Sequence, residues 1–265
     1  MRVFVLRVAA LGDTVCTVPL VGALVAAGHH VTVCAPGRLH PLLPSGVTAV
    51  DSDGALGSAL YAGRADLSSY DVAVAWTSIG GDALRACGAR DVRVGAPRPR
   101  VGQHAVDMVF EPVADLVVGA PREPKIVASS AAVAAARRHV PDGVVVLVPG
   151  SGGAAKRVPL DAWEEVARTV GAPVVWVRGP VERGEAGWGA PCLDDLDIIG
   201  LIGLAAVCRA WLGVDSGPSH LARAVGARVG VVFTGATDPA SWAPPGAVVF
   251  GPTTGPGDWA RWAAS

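Results

Sequence analysis

Short apolar runs recur along the chain, and the stretches between them decide the fold class. Val3-Phe4-Val5-Leu6 has the continuous hydrophobicity of a strand buried on both faces. Ala9-Ala10-Leu11-Gly12 reads as the turn that follows, and Thr14 to Ala27 as a helix stopped by Gly28. His30-Val31-Thr32-Val33-Cys34 is the next strand, with further apolar segments at Val47 to Val50, Val72 to Trp76 and Val92-Arg93-Val94. Strands separated by helical or loop stretches imply βαβ units and a parallel sheet.

Residues 96–124 interrupt this pattern. Pro97, Pro99, Pro112, Pro121 and Pro124 are scattered among polar positions, which predicts a linker or domain crossover there or just after. Ala128 to His139 then reads as an alanine-rich helix closed by Pro141-Asp142-Gly143. Val144 to Val148 restarts the order of strand, glycine loop and helix. Trp163 to Val170 is its first predicted helix, with Asp161 as N-cap and Glu164 completing a capping box. Next come a strand at Val174 to Val177, a short helix within Ile198 to Arg209, and a strand at Trp211-Leu212-Gly213-Val214. A helix at Ser219 to Val225 and a strand at Val229 to Phe233 follow. The expected fold class is α/β: two Rossmann-like parallel-sheet domains, residues 1–125 and 126–265, facing a central cleft at the carboxyl ends of their strands.

Composition narrows the function classes. A chain that is 51% hydrophobic and 17% charged buries a substantial core. Its 22 basic and 23 acidic residues leave a net charge of -1, with no field to gather nucleic acid or an anionic membrane. Cys16, Cys34, Cys87, Cys192 and Cys208 are odd in number and widely spaced, as expected of free thiols in a reducing cytoplasm. No CxxC pair or Cys/His cluster points to zinc. The uncharged run from Thr14 to Gly28, behind Arg2 and Arg7, has some look of a signal peptide. Asp13 interrupts it, however, and the run is too short to span a bilayer. A cytoplasmic protein without an integral membrane segment is the expectation; peripheral membrane contact stays open.

Candidate chemistry gathers in two loops. Pro149-Gly150-Ser151-Gly152-Gly153-Ala154-Ala155-Lys156-Arg157 follows directly after a strand, where glycines admit a close ligand, amides cradle anionic oxygens and Lys156 adds a point charge. The loop has neither the GxxxxGK[ST] order of a nucleoside-triphosphate loop nor a GxGxxG fingerprint. An ordinary strand-to-helix turn with a solvated lysine is the bland alternative. Val214-Asp215-Ser216-Gly217-Pro218-Ser219-His220-Leu221 packs an acid, a hydroxyl, a glycine-proline turn and a histidine between apolar runs at a strand end. Strand ends of that kind are where α/β proteins hold ligands.

These blocks carry a family resemblance. The loop from Pro149 to Pro159 resembles the PGSGG-x-x-KRWP signature of family 9 glycosyltransferases, whose best-known members are ADP-heptose:lipopolysaccharide heptosyltransferases. Leu6-Arg7-x-x-x-Leu11-Gly12-Asp13 with Pro19 is similar to the family's start, and Gly179-Pro180-x-Glu182 to its GGP-x-E element. Asp215 to Leu221, followed by Phe233-Thr234-Gly235-x-Thr237-Asp238-Pro239, resembles the family's ending. The resemblance implies a GT-B fold and metal-independent, inverting transfer. It places the acceptor in the N-terminal domain and the nucleotide-sugar donor in the C-terminal one, with the nucleotide diphosphate sugar as co-substrate and no cofactor.

Carried over residue by residue, the resemblance makes Asp13 the catalytic base, with mere helix capping as the alternative. Lys156 and Ser151, with Gly152 and Gly153, would meet the donor diphosphate. Asp215 would orient sugar hydroxyls or loop amides, while Ser216, Gly217, Pro218 and the following helix N-terminus face the phosphates. His220 either reaches phosphate or packs under the loop. Glu182 would accept from a ribose hydroxyl or lie on the surface, and Thr234 and Thr237-Asp238 would line the same pocket or simply form a turn. Gly12, Trp76 and Thr77 border the acceptor side, where Arg98, Arg100 and His104 either meet an anionic acceptor or are solvated charges. The other tryptophans are expected to pack in the core.

Departures from the family bear on the substrate. The chain is short for a lipopolysaccharide heptosyltransferase, Gly57 to Ser69 is its one modest N-terminal insertion, and Arg157-Val158-Pro159 replaces Arg-Trp-Pro. The Gly/Pro-rich end suggests a missing or abbreviated crossover helix. These features favour a monomeric enzyme moving a heptose or related sugar, ADP-linked, to a small soluble acceptor such as an aminoglycoside, nucleoside or other secondary-metabolite intermediate. A cell-envelope heptosyltransferase and an inactive nucleotide-sugar-binding protein are the alternatives.

Overall fold

The computed structural model describes residues 1–185, 187–189 and 191–265, and the chain divides into two compact units, 1–124 and 125–265. In the first, β1 (Arg2–Leu6), β2 (His30–Ala35), β3 (Val47–Asp51), β4 (Val72–Ala75) and β5 (Asp91–Val94) form a parallel sheet in the order β3-β2-β1-β4-β5. Helices α1 (Leu11–Ala26), α2 (Ala55–Tyr61), α3 (Ser78–Ala86) and α4 (Ala105–Phe110) complete it. The centre is made by β1 and β4, whose valines and alanines are buried on both faces. That is why these strands read as continuous apolar runs and not as alternation.

Three details differ from the pattern-based expectation. First, α1 begins at Leu11, before the expected Thr14, because the Ala10 carbonyl already accepts from Thr14 N at 3.0 Å. Asp13 therefore lies in the first turn of the helix and not in a loop before it. Second, residues 96–124 are folded into unit 1, and the crossover falls just after them, between Pro124 and Lys125. Helix α4 and the tight turn Glu111–Leu116 lie in that stretch, with Val106, Met108, Val109, Phe110 and Val113 buried and α4 packed on α1. At six residues, α4 is too short to show a helical period. Third, the Gly57 to Ser69 stretch belongs to the core: it holds most of α2, and Leu60 and Leu67 are buried with Phe4 and Leu84.

In the second unit, β6 (Val145–Val148), β7 (Val174–Arg178), β8 (Cys192–Asp194), β9 (Ala210–Val214), β10 (Val229–Val232) and β11 (Val248–Phe250) form a parallel sheet ordered β11-β10-β9-β6-β7-β8. Its helices are α5 (Ser130–Arg137), α6 (Leu160–Thr169), α7 (Ile198–Val207), α8 (Gly217–Val225), α9 (Pro239–Trp242) and α10 (Pro256–Ala264). Helix α6 starts at Leu160 behind Pro159, so Asp161 is not the N-cap. It sits in the first turn, where its charge suits the helix dipole, and accepts from Ala162 N at 2.8 Å. Ser129 caps α5, accepting from Ala132 N at 3.1 Å, which starts that helix later than the alanine run suggests. Trp163, Trp176, Trp211 and Trp259 fill this core, as expected of most tryptophans. The tail helix α10 packs on α6, with the Trp163 and Trp259 rings 5.5 Å apart.

All five cysteines are free, three of them buried and Cys192 and Cys208 half-buried. Among the described residues no helix is long and apolar enough to cross a membrane.

Candidate active site

Both sheets change direction of growth once. In unit 1 the switch lies between β1 and β4, and in unit 2 between β6 and β9. Loops leaving the carboxyl ends of strands diverge at such a point and leave a crevice for ligands. The predicted site residues fall at these two places.

In unit 1, Gly12 and Asp13 follow β1, and Trp76 and Thr77 follow β4. Asp13 Oδ1 accepts from the Arg7 guanidinium at 3.2 Å; the Arg7 side chain is 7% exposed and that of Asp13 29%. Burial pushes the Arg7 pKa down, and the facing carboxylate of Asp13 pulls it back up. The N-cap of α1 is Ala10, and Asp13 stands in the first turn, where its charge suits the helix dipole. Trp76 is buried, with the Arg7 guanidinium over its ring at 5.2 Å. Thr77 caps α3, its hydroxyl accepting from Gly80 N at 3.0 Å. Arg100 pairs with Glu111 at 3.1 Å, and the His104 ring accepts from Val106 N at 3.2 Å as the cap of α4.

In unit 2, four successive loops meet at the carboxyl edge, because β7, β6, β9 and β10 are neighbours in the sheet. Lys156 Nζ lies 2.8 Å from Asp215 Oδ2, and the Thr237 hydroxyl donates to the same oxygen at 2.6 Å. Thr234 Oγ1 donates to the Ala155 carbonyl at 2.7 Å, and Ser151 Oγ to the Asp215 carbonyl at 3.4 Å. The loops after β6, β9 and β10 are thereby tied into one cluster around a buried carboxylate. Ser216 caps α8 by position, with its hydroxyl 3.4 Å from that of Ser219, while Gly217 and Pro218 open the helix. His220 is buried, its Nε2 3.9 Å from Asp215 Oδ1, so it lies under the loop.

Glu182 is buried, not a surface glutamate. It accepts from Gly179 N at 3.1 Å and from Arg157 Nη2 at 2.8 Å. Arg157 also donates through Nε to the Ser151 carbonyl at 3.1 Å and through Nη1 to Glu185 at 2.6 Å, a bond that holds the Glu185 carboxyl below its ordinary range. A guanidinium presents several donors in a fixed fork, so one side chain joins the loops after β6 and β7. Sequence reasoning gave no role to Arg7 or Arg157 in this machinery, and to Thr237 only that of lining the nucleoside pocket or forming a turn. Each stands inside a quoted motif, but only the fold shows what its polar atoms reach.

The glycines divide by cause. A Cβ on Gly150 would lie 2.6 Å from the Glu182 carboxyl carbon, so the fold itself requires glycine there. A Cβ on Gly152 would meet nothing within 4 Å, and one on Gly153 only Lys156 at ordinary contact distance. Among the described residues, no group of His, Cys, Asp or Glu side chains is arranged to hold a metal ion.

Comparison with known proteins agrees with this layout. The chain is similar in structure to the glycosyl transferase family 9 protein from Veillonella parvula DSM 2008, at 17% identity over 94% of this chain and 85% of that one, with a TM-score of 0.77. It is also similar to the E. coli ADP-heptose lipopolysaccharide heptosyltransferase II, at 18% identity over 95% and 90% of the two chains, with a TM-score of 0.72. E. coli heptosyltransferase WaaC with ADP gives 17%, 95% and 93%, and 0.69. At such identities the likeness is one of fold: the GT-B-like pairing of two Rossmann-like parallel sheets. No curated protein sequence matches the chain. Residues 78–250, most of the chain and including the loops around Lys156, Glu182 and Asp215, match the family described as glycosyltransferase family 9 (heptosyltransferase), and the chain belongs to that family of enzymes.

Proposed function

We propose that this glycosyltransferase takes a heptose or related sugar from an ADP-linked donor held by unit 2. It transfers that sugar, with inversion and without a metal, to a hydroxyl of a cell-envelope saccharide offered to unit 1. The observation that carries the donor half is the Lys156, Asp215 and Thr237 cluster at the switch point of its sheet, tied to the loop bearing Ser151. A diphosphate leaving group needs cationic and N–H donors where its charge grows, and an ammonium fixed on a buried carboxylate supplies one without reorganising. For the acceptor half, Asp13 stands in the first turn of α1 as a partly exposed carboxylate oriented by the Arg7 guanidinium, and a general base must be reachable by the proton it takes. The acceptor hydroxyl loses its proton to Asp13, its oxygen bonds to the anomeric carbon, and the bond from that carbon to the diphosphate breaks with its electron pair leaving on phosphate.

The chain's shortness does not separate it from envelope enzymes. It covers nine-tenths or more of both E. coli heptosyltransferases, one of which acts on lipopolysaccharide. A second reading, a small soluble acceptor without phosphate, is favoured by charge. The chain's two lysines, Lys125 and Lys156, both lie in unit 2, and six of the ten arginines of unit 1, Arg7, Arg38, Arg85, Arg93, Arg100 and Arg122, pair with an acid. That pairing removes part of the positive charge a phosphorylated core saccharide would meet.

The test is ADP release from ADP-heptose against two acceptor sets, deacylated lipopolysaccharide cores and small phosphate-free acceptors, aminocyclitols and nucleosides. Release stimulated by the cores supports the first reading, and release only with the small acceptors supports the second. Saturable ADP-heptose binding without acceptor-dependent release from either set refutes both. For the chemistry, Asp13→Asn should lower release by about 10²–10⁴-fold, the worth of a general base, while leaving ADP affinity nearly intact, and Lys156→Ala should weaken both.

A further inference from the structure

We infer that Arg7 and Trp76 form a built support behind Asp13 and act as positioning residues for transfer, not as contacts of the acceptor. This rests on Asp13 being the base.

The support is layered. Gly95 comes first: a Cβ there would lie 2.6 Å from Trp76 Cδ1 and 2.9 Å from its Nε1, so glycine gives the indole its seat. The buried indole then offers its face to the Arg7 guanidinium at 5.2 Å. Arg7 is anchored at its main chain, where its N–H donates to the Cys34 carbonyl at 2.8 Å at the end of β2. One Nη of the guanidinium donates to Asp13 Oδ1 at 3.2 Å. From the other side Asp13 is fixed by its helix, its carbonyl accepting from Thr17 Oγ1 at 2.8 Å.

The energetics say why the arginine matters. Its buried Nε has no hydrogen-bond acceptor among the described residues, a defect that a methionine of similar reach would avoid. A buried cation with an unsatisfied donor is a poor choice for packing alone. Among the described residues, its side chain bonds the proposed base and stacks on the residue at the neighbouring strand end. Both lie at the switch point of unit 1. The bond occupies Oδ1 and turns the carboxylate about its stem, so Oδ2 is the oxygen that takes the acceptor's proton. Lysine would keep the charge without the planar fork or the stacking face.

The experiment is steady-state ADP release from ADP-heptose with the best acceptor of the panel above, or with water as acceptor if none stimulates. Arg7→Lys should lower kcat about 100-fold, the order of loss a misplaced reacting group produces, with KM for ADP-heptose within about twofold because the donor loops are untouched. Asp13→Asn/Arg7→Lys should be no slower than Asp13→Asn, since both changes act through one carboxylate. Trp76→Leu should lower kcat more than Trp76→Phe, which keeps a ring under the cation; this pair answers the question if Arg7→Lys does not fold. A crystal structure of the Arg7→Lys or Trp76→Leu protein should show Asp13 Oδ1 displaced. An unchanged kcat in Arg7→Lys, losses that multiply in the double variant, or an Asp13 carboxylate that stays in place would each overturn the positioning role while leaving Asp13 as base. A fully active Asp13→Asn would overturn both.

Discussion

Replacing Lys156 by methionine isolates the ion pair at the centre of the donor cluster. The variant keeps the stem and removes the ammonium 2.8 Å from Asp215 Oδ2, leaving a carboxylate 5% exposed with the Thr237 hydroxyl as its remaining bond to that oxygen. Stranding one member of a fully buried pair costs about 3–5 kcal/mol. The Lys156 side chain is 31% exposed, so water already screens part of the attraction. The expected loss is then about 1–3 kcal/mol. Asp215→Asn should cost less, because its amide oxygen still accepts from Thr237 and the freed ammonium returns to water. Combining the two should recover part of the Lys156→Met loss, since a neutral amide beside a thioether strands no charge. Urea unfolding at pH 7 followed by tryptophan fluorescence is the assay. Trp76 is the chain's one tryptophan before residue 125, so the signal reports unit 2 and avoids assuming that both units unfold together. Lys156→Met unfolding at the parent midpoint, or a double variant whose loss equals the sum of the singles, would refute the pair as a coupled buried interaction.

Two further expectations follow from neighbouring atoms. Gly150→Ala drives a methyl into the Glu182 carboxylate and should cost about 1–3 kcal/mol in the same unfolding assay. Gly152→Ala meets no atom and should stay within about 0.5 kcal/mol, so a loss of ADP affinity in that variant, read by calorimetry, would mark close ligand approach at Gly152. Burial pushes the Cys34 and Cys192 thiols up to about 11 and Cys208 up to about 12. Because these folded-state values lie above the ordinary one, their contribution to stability is complete below about pH 8.5 and is lost as pH rises through 11 to 12. Alkylation at pH 8 should accordingly be slow in the native protein and fast in urea, and rapid native labelling of Cys208 would contradict its environment.

How much of this was legible beforehand depends on the range of the interaction involved. Central strands such as Val72–Ala75 and Val145–Val148 announce themselves because both faces are buried, and no tertiary partner is needed to read them. Helix α4 did not, since proline-flanked sequence of that length looks like a loop until α1 covers its apolar side. Lys156 and Asp215 were legible as motif residues, but their pairing was not. They stand 59 residues apart, and it takes the adjacency of β6 and β9 to bring the two loops together. The same holds for Arg157 and Glu182, whose contact depends on β6 lying beside β7. Local chemistry was written in the sequence; the wiring between loops was written in strand order.

That wiring bears on how the proposed donor loop handles charge without a metal. Lys156 is already bonded to Asp215, so the pair together presents little net charge to an incoming diphosphate. Two accounts of the loop then differ in sign. If Lys156 acts by net charge, Asp215 opposes the donor, and Asp215→Asn should bind ADP more tightly. If it acts by preorganisation, Asp215 holds one of the ammonium's three N–H donors and aims the other two. Release of the side chain would then restore up to about 2 kcal/mol of rotamer freedom that binding must remove again. The Thr237 bond to the same carboxylate oxygen and the Thr234 bond to the Ala155 carbonyl favour the second account, because they fix the loop that carries the lysine and add no charge. Calorimetric titration with ADP should find Asp215→Asn binding weaker than the parent, by up to about thirtyfold if the whole rotamer entropy is recovered; tighter binding would mean that the carboxylate is an electrostatic burden and the lysine needs no anchor.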